Sequence, residues 1–226
     1  MTPETARIVD PIFLAVLDFV DRFERGQLSY HETERNRIRK LIDEGDQLLG
    51  ANSEVWRLSK YALVSYIDEQ FTILPWPGKD AWANNSLEYQ YFHAASGEAW
   101  DTKAAYEQFF VEANRAASLP NKDALEVYVT CVLLGFRGMY GQPVDQTTAS
   151  RIGVPNTLKD WLRNMSGFGL ASSHAGQKFQ SAPERGDGAR PLDGKSQLIT
   201  MGFLGIMFLL VAICYQCFFF GNLASQ

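Results

Sequence analysis

"SEVWRLSKYALVSYIDEQFTIL", residues 53 to 74, is the stretch that decides the fold of this chain. Ser53 or Asn52 can serve as a helix N-cap, and the helix that would follow carries apolar residues on nearly every face. These residues are Trp56, Leu58, Tyr61, Ala62, Leu63, Val64, Tyr66, Ile67 and Phe71. A helix that is apolar all round is typical of the centre of a bundle, so we predict that the other helices pack around this one.

Two acidic residues, Asp68 and Glu69, interrupt this apolar helix. Asp68 shares a stripe with Tyr61, Val64 and Phe71, where a carboxylate needs either a partner or an opening onto a groove. One interpretation is a structural ion pair or a cap for a neighbouring helix, and the other is an acidic groove that receives a partner protein. We favour an internal brace for Asp68 and a partner surface for Glu69, one step round the helix. Both are our candidate partner-binding residues.

Helical patterns continue on both sides of this stretch. Asp10-Pro11 predicts the start of a first helix with proline at its first helical position, and Gly26 and Gly50 end the first and second helices. Further helices are predicted over residues 84–94, 101–117, 123–142 and 156–164. No segment shows the alternation typical of a strand. We therefore predict an all-α fold, with residues 1–168 forming a helical domain.

A different composition follows residue 168. Residues 169–197 are rich in Gly, Ser, Pro, Gln and Arg, which predicts a flexible linker. Residues 198–220 contain no Asp, Glu, Lys or Arg. A helix of that length spans about 35 Å, enough for a bilayer core of about 30 Å, so we predict a transmembrane helix there.

Charges around the apolar span predict its orientation. Arg185, Arg190 and Lys195 precede the span, whereas residues 221–226 carry no charged side chain. Because positive charge stays on the cytoplasmic side, we expect a cytoplasmic N-terminal domain and a periplasmic stub at residues 221–226. This arrangement is that of a tail-anchored, single-pass membrane protein.

Composition and motifs argue against several classes of function. The formal net charge of −5 disfavours a nucleic-acid-binding protein, which would show a basic face. Phosphate-binding, nucleophile-elbow and zinc-protease motifs are absent from the sequence, so we predict no enzymatic activity, no cofactor and no metal site. A membrane-tethered enzyme with a groove around Asp68, Glu69 and His93 is a weaker alternative.

Four stretches carry a resemblance to a known family: "ALVSYIDEQFTILPW" (62–76), "SLEYQYFH" (86–93), "YEQFF" (106–110) and "LEVYVTCVLLGFRGMY" (125–140). In this order they resemble the TssL/DotU/IcmH family, the tail-anchored inner-membrane proteins of bacterial type VI secretion systems, with relatives in type IVb systems. The last stretch is the most specific. The chain departs from the family pattern at Glu88, where a leucine is common, and its single glycine before Glu98 lies in a longer segment than usual.

The resemblance implies a fold and a set of partners. It implies two small helical bundles that form a hook, in a non-enzymatic structural component of the type VI membrane complex at the bacterial inner membrane. The implied partners are a TssM/IcmF-like inner-membrane protein, indirectly a TssJ-like lipoprotein, and the cytoplasmic baseplate proteins. Self-association is also expected, because one helix cannot carry the recoil load. The alternative is a scaffold of a type IVb or other envelope-spanning machine.

Overall fold

The structure, a computed structural model, describes residues 1–27, 30–51, 53–94, 102–144 and 146–173. The chain divides into two units, residues 1–178 and 179–226, and every described residue belongs to the first. The α-helices of the described residues are α1 (Pro3–Glu24), α2 (His31–Leu49), α3 (Glu54–Ile73), α4 (Lys79–Ala83), α5 (Thr102–Ser118), α6 (Asp123–Leu133), α7 (Gln146–Ile152) and α8 (Leu158–Ser173). A π-helical turn, Tyr89–His93, and a 3₁₀ turn, Gly138–Gly141, complete the helical elements. No strand occurs within these ranges, which confirms the predicted all-α class for this part of the chain.

The predicted membrane segment lies outside the described residues. This holds for the transmembrane helix at 198–220, the stub at 221–226 and the part of the predicted linker after residue 173. Among the helices that the structure does describe, none has the length and apolarity needed to cross a bilayer.

Helix α3 occupies the centre of the fold, as its apolar faces predict. It packs against α1, α2 and α4 in one group of helices and against α5 and α6 in the other, while α7 packs on α5 and α8 packs mainly on α6. Ser53 caps it by accepting a hydrogen bond from the backbone N–H of Trp56. Two groups of helices thus share one buried helix, which holds Asp68 and Glu69 at the junction between them.

The predicted start of the first helix at Asp10-Pro11 was wrong. Helix α1 begins at Pro3 with Thr2 as its N-cap, and Pro11 lies inside it. Pro11 is exposed, so water can solvate the carbonyl that loses its N–H donor there. The hydroxyls of Thr2 and Thr5 donate to Oδ2 of Asp123, at 2.5 and 2.7 Å, and fix the true start of the helix against α6.

The segment after the Pro75–Gly78 break also differs from its prediction. A single helix was expected over residues 84–94; the structure has helical residues 87–93 there, most of them in the π-helical turn, and an additional short helix, α4, ends before it at Ala83. The hydroxyl of Ser86 accepts from the backbone N–H of Tyr89 at 3.2 Å, which starts the second segment separately. The break in the helix between Ala83 and Leu87 directs the backbone N–H groups at the start of the second segment towards α3.

Candidate functional site

Asp68 is a buried cap for the segment that begins at Leu87. Its Oδ1 accepts from Trp82 Nε1 at 2.8 Å and from the backbone N–H of Leu87 at 3.0 Å. Its Oδ2 accepts from the backbone N–H of Glu88 at 2.8 Å. Burial raises the pKa of the carboxyl to about 6, while these three hydrogen bonds and the positive charge of Arg35 oppose that rise. The geometry is that of the internal brace favoured by the sequence, with a helix start as the braced element.

A column of stacked side chains holds the Asp68 site in place. The guanidinium of Arg35 lies 4.4 Å from the ring centroid of Trp82, which stacks on Phe71 at 4.2 Å. Phe71 in turn stacks on Phe19 at 4.0 Å. Arg35 is itself buried, and neither terminal nitrogen has a hydrogen-bond partner among the described residues. Its charge is therefore balanced mainly by the nearby carboxylate of Asp68, with which it interacts electrostatically.

Glu69 braces the second group of helices in the same manner. Its Oε2 accepts from the backbone N–H of Arg137 at 2.8 Å, and its Oε1 accepts from that of Gly138 at 2.6 Å. Gly138 has a φ of +51°, and a Cβ there would lie 2.8 Å from Cε1 of Phe136, so this turn needs glycine. Burial raises the pKa of the Glu69 carboxyl, against the effect of its two backbone donors. Glu69 is thus buried, and it contacts solvent only through the openings that it lines.

The larger of those openings is a groove of about 760 Å³. It runs between the end of α3, the start of α5, the segment 137–144 and α7, and most of its surface is apolar. Its lining residues include Glu69, Ile73, Tyr106, Glu107, Met139, Pro143 and Val144. The carboxylate of Glu107 is paired with Arg151, and the exposed side chain of Arg137 also lines the groove. The groove therefore offers mainly apolar surface to a ligand or partner.

A smaller cavity of about 200 Å³ lies where Asp68 and Glu69 both reach the surface of the core. Glu88 forms part of its wall, with Oε1 accepting from the hydroxyl of Tyr61 at 2.5 Å. Burial raises the pKa of Glu88 to about 7, and the neighbouring charge of Asp68 adds to that rise. Nε2 of His93 lies 3.8 Å from Glu88 Oε1. Several carboxyls thus reach one small cavity, whose wall is otherwise mostly apolar.

Sequence reasoning found two of these residues and missed the others. Asp68 and Glu69 stood out because carboxylates interrupt an apolar helix. Glu88 was noticed only as a departure from a family pattern. Arg35 was not singled out, because the sequence of α2 is typical of an exposed, charged helix. The specific stretch at 125–140 forms core: Leu125, Tyr128, Cys131 and Phe136 are buried.

Comparison with known proteins gives one match. A model of the family described as "Type VI secretion system protein DotU" matches residues 6–220 of this chain. No curated protein and no solved structure matches it.

Proposed function

Because this chain belongs to the DotU family and is a component of a type VI secretion system, we propose that it anchors that machine in the inner membrane and docks its cytoplasmic baseplate. The observation that supports docking most directly is the apolar groove beside Glu69. The family match favours this reading over a scaffold of a type IVb system. The role is structural and involves no catalysis.

We assign the anchor to residues 198–220, whose lack of charged side chains supports a transmembrane helix. With Arg185, Arg190 and Lys195 on the cytoplasmic side, the N-terminus is cytoplasmic and the C-terminus periplasmic. We expect a reporter that works only in the periplasm to be active when fused after Gln226. Activity of a cytoplasm-dependent reporter at that position would contradict this topology.

The groove supports protein docking because most of its surface is apolar and its two carboxylates are engaged. Glu69 holds two backbone N–H groups and Glu107 pairs with Arg151, which leaves the apolar wall and the guanidinium of Arg137 for recognition. At the end of α3, Ile73 is 60% exposed, although it lines this groove. Exposed apolar side chains beside a concave apolar surface are typical of partner-binding sites.

In this proposal Asp68 and Glu69 are partner-binding residues because they hold the walls of the two openings in place. Glu69 lines both openings and fixes the turn that forms one wall of the groove. Asp68 lines the smaller cavity and fixes the start of the segment at Leu87. The two helix groups that share α3 also support the two-bundle hook implied by the resemblance. We propose a TssM/IcmF-like protein and, indirectly, a TssJ-like lipoprotein as the other partners, together with self-association.

We expect Ile73→Glu to weaken capture of baseplate proteins about tenfold or more, because a charge would replace an apolar anchor at the groove. The measurement is affinity capture on the full-length chain in mild detergent, with quantitative mass spectrometry of the type VI proteins retained. Leu48→Glu is the matched control, since Leu48 is 65% exposed on α2 and does not line the groove. Equal capture by the two variants would place the docking surface elsewhere.

A further inference from the structure

We propose that the small cavity bounded by Asp68, Glu69 and Glu88 binds the primary ammonium group of a lysine side chain presented by a partner protein. This inference rests on the proposed docking function and names the chemistry that one partner brings. The cavity holds about 200 Å³, enough for the end of one extended side chain but small beside the apolar groove. The rest of its wall consists of Ser65, Thr72, Ala83, Ser86, Ala105 and Tyr106.

Acceptors with spare hydrogen-bonding capacity in this cavity carry the argument. Ser65 lines it and is 4% exposed; its hydroxyl interacts with that of Tyr61, but its Oγ makes no hydrogen bond of normal geometry among the described residues. Glu88 is 3% exposed, and the hydrogen bond described for its side chain uses only Oε1, which accepts from Tyr61. Asp68 Oδ2 accepts a single bond, from the backbone N–H of Glu88, and a carboxylate oxygen can accept two. Buried polar atoms that lack partners are costly, so a donor in this space would stabilise the site.

An ammonium group matches these acceptors better than other cations do. It carries three N–H donors and no acceptor, and its stem is narrow and flexible, whereas a guanidinium needs a flat space for five donors. Within the described part of the chain, no group of three or more His, Cys, Asp and Glu side chains is arranged to hold a metal ion. The acidic wall excludes anions, so a lysine ammonium is the ligand that fits both the charge and the donors.

The electrostatics of the cavity favour the same ligand. Burial raises the pKa of Asp68 to about 6 and that of Glu88 to about 7. Near neutral pH, keeping these two carboxyls ionised therefore reduces the stability of the folded state. A cation between them would lower both values, because an opposite charge favours the ionised form. Stabilising the two ionised carboxylates therefore contributes to the binding free energy of a cation. An uncharged hydrogen-bond donor would lack this contribution.

Two small cations test the cavity on the full-length protein in detergent. We expect n-butylammonium to raise the melting midpoint saturably, and n-butyltrimethylammonium, which has the same charge but no N–H donor, to have little effect. Glu88→Gln should reduce the response to n-butylammonium, whereas Glu44→Gln on the exposed face of α2 should keep it. The same response to both cations, or no response to either, would overturn the proposal.

A second experiment tests whether the ammonium group comes from a partner. Reductive methylation of lysines on the captured type VI proteins keeps their charge but removes N–H donors. It should weaken their binding to the unaltered chain and have little further effect on binding to the Glu88→Gln variant. Equal weakening in both would show that the relevant lysines bind elsewhere. If the unaltered chain captures no type VI protein, the docking function fails, while the two-cation comparison still decides what the cavity binds.

Discussion

Replacing Asp68 with alanine is expected to lower the free energy of unfolding by about 3–5 kcal/mol. The change leaves three buried donors without their acceptor: Trp82 Nε1 and the backbone N–H groups of Leu87 and Glu88. It also removes the carboxylate that balances the buried guanidinium of Arg35. Losses of both kinds are large because the stranded donors and the guanidinium are buried in the core.

Denaturant unfolding of the full-length chain, followed by tryptophan fluorescence, measures this loss. Asp80→Ala is the matched control, because Asp80 is an exposed acidic residue on the neighbouring α4, close to the same break. We expect the control to change the free energy of unfolding by about 0.5 kcal/mol or less. If Asp68→Ala were as stable as the control, the carboxylate would not be a structural brace, and a direct contact with a partner would explain it better.

The second large effect concerns pH and Glu88. Burial raises the pKa of this carboxyl from 4.5 to about 7, so the folded state binds a proton over a pH range in which the unfolded chain has released it. Stability therefore falls as pH rises from about 4.5 to about 7, and the loss is complete above that range. The shift corresponds to about 3 kcal/mol for this group. Asp68 acts in the same direction between 3.8 and about 6.

Glu88→Gln isolates this contribution, because glutamine has nearly the same shape and does not titrate in this range. We expect the difference in free energy of unfolding between the variant and the unaltered chain to grow in the variant's favour as pH rises towards 7. Taking the difference removes the opposite contribution of Asp123, whose pKa is lowered by the hydroxyls of Thr2 and Thr5. Parallel pH profiles for the two proteins would contradict the burial of a titrating carboxyl at this position.

The sequence predicted those features that depend on neighbouring residues. The apolar faces of residues 53–74 indicated a central helix, and Ser53 was one of two candidate N-caps, since caps and periodicity are local signals. The same local reasoning failed at Pro11. A proline can start a helix or lie within one, and the choice here depends on Asp123, which is 118 residues from Thr5 along the chain.

The site was harder to predict because its partners are distant in sequence. Asp68 was expected to brace something, but the acceptor–donor pairs reach 14 to 20 residues along the chain, across the Pro75–Gly78 break. Glu69 was assigned to a partner surface, whereas its carboxylate meets the backbone of Arg137 and Gly138, 68 and 69 residues away. A single sequence gives no signal for such distant pairs. An Asp or Glu in the sequence also looks the same whether it is a buried brace or an exposed recognition residue.

The link between Thr2 and Asp123 sets an order of events during synthesis. These two residues are 121 positions apart, and the hydroxyl–carboxylate bond between them cannot form until α6 has left the ribosome. At about 5–20 residues per second, α1 must wait on the order of 10 s for this partner. Although α1 is the first helix to be made, its N-terminal end is therefore among the last parts to reach its final contacts. Until then the helix depends mainly on α2 and α3, and a ribosome that pauses before residue 123 prolongs its exposure to chaperones and proteases.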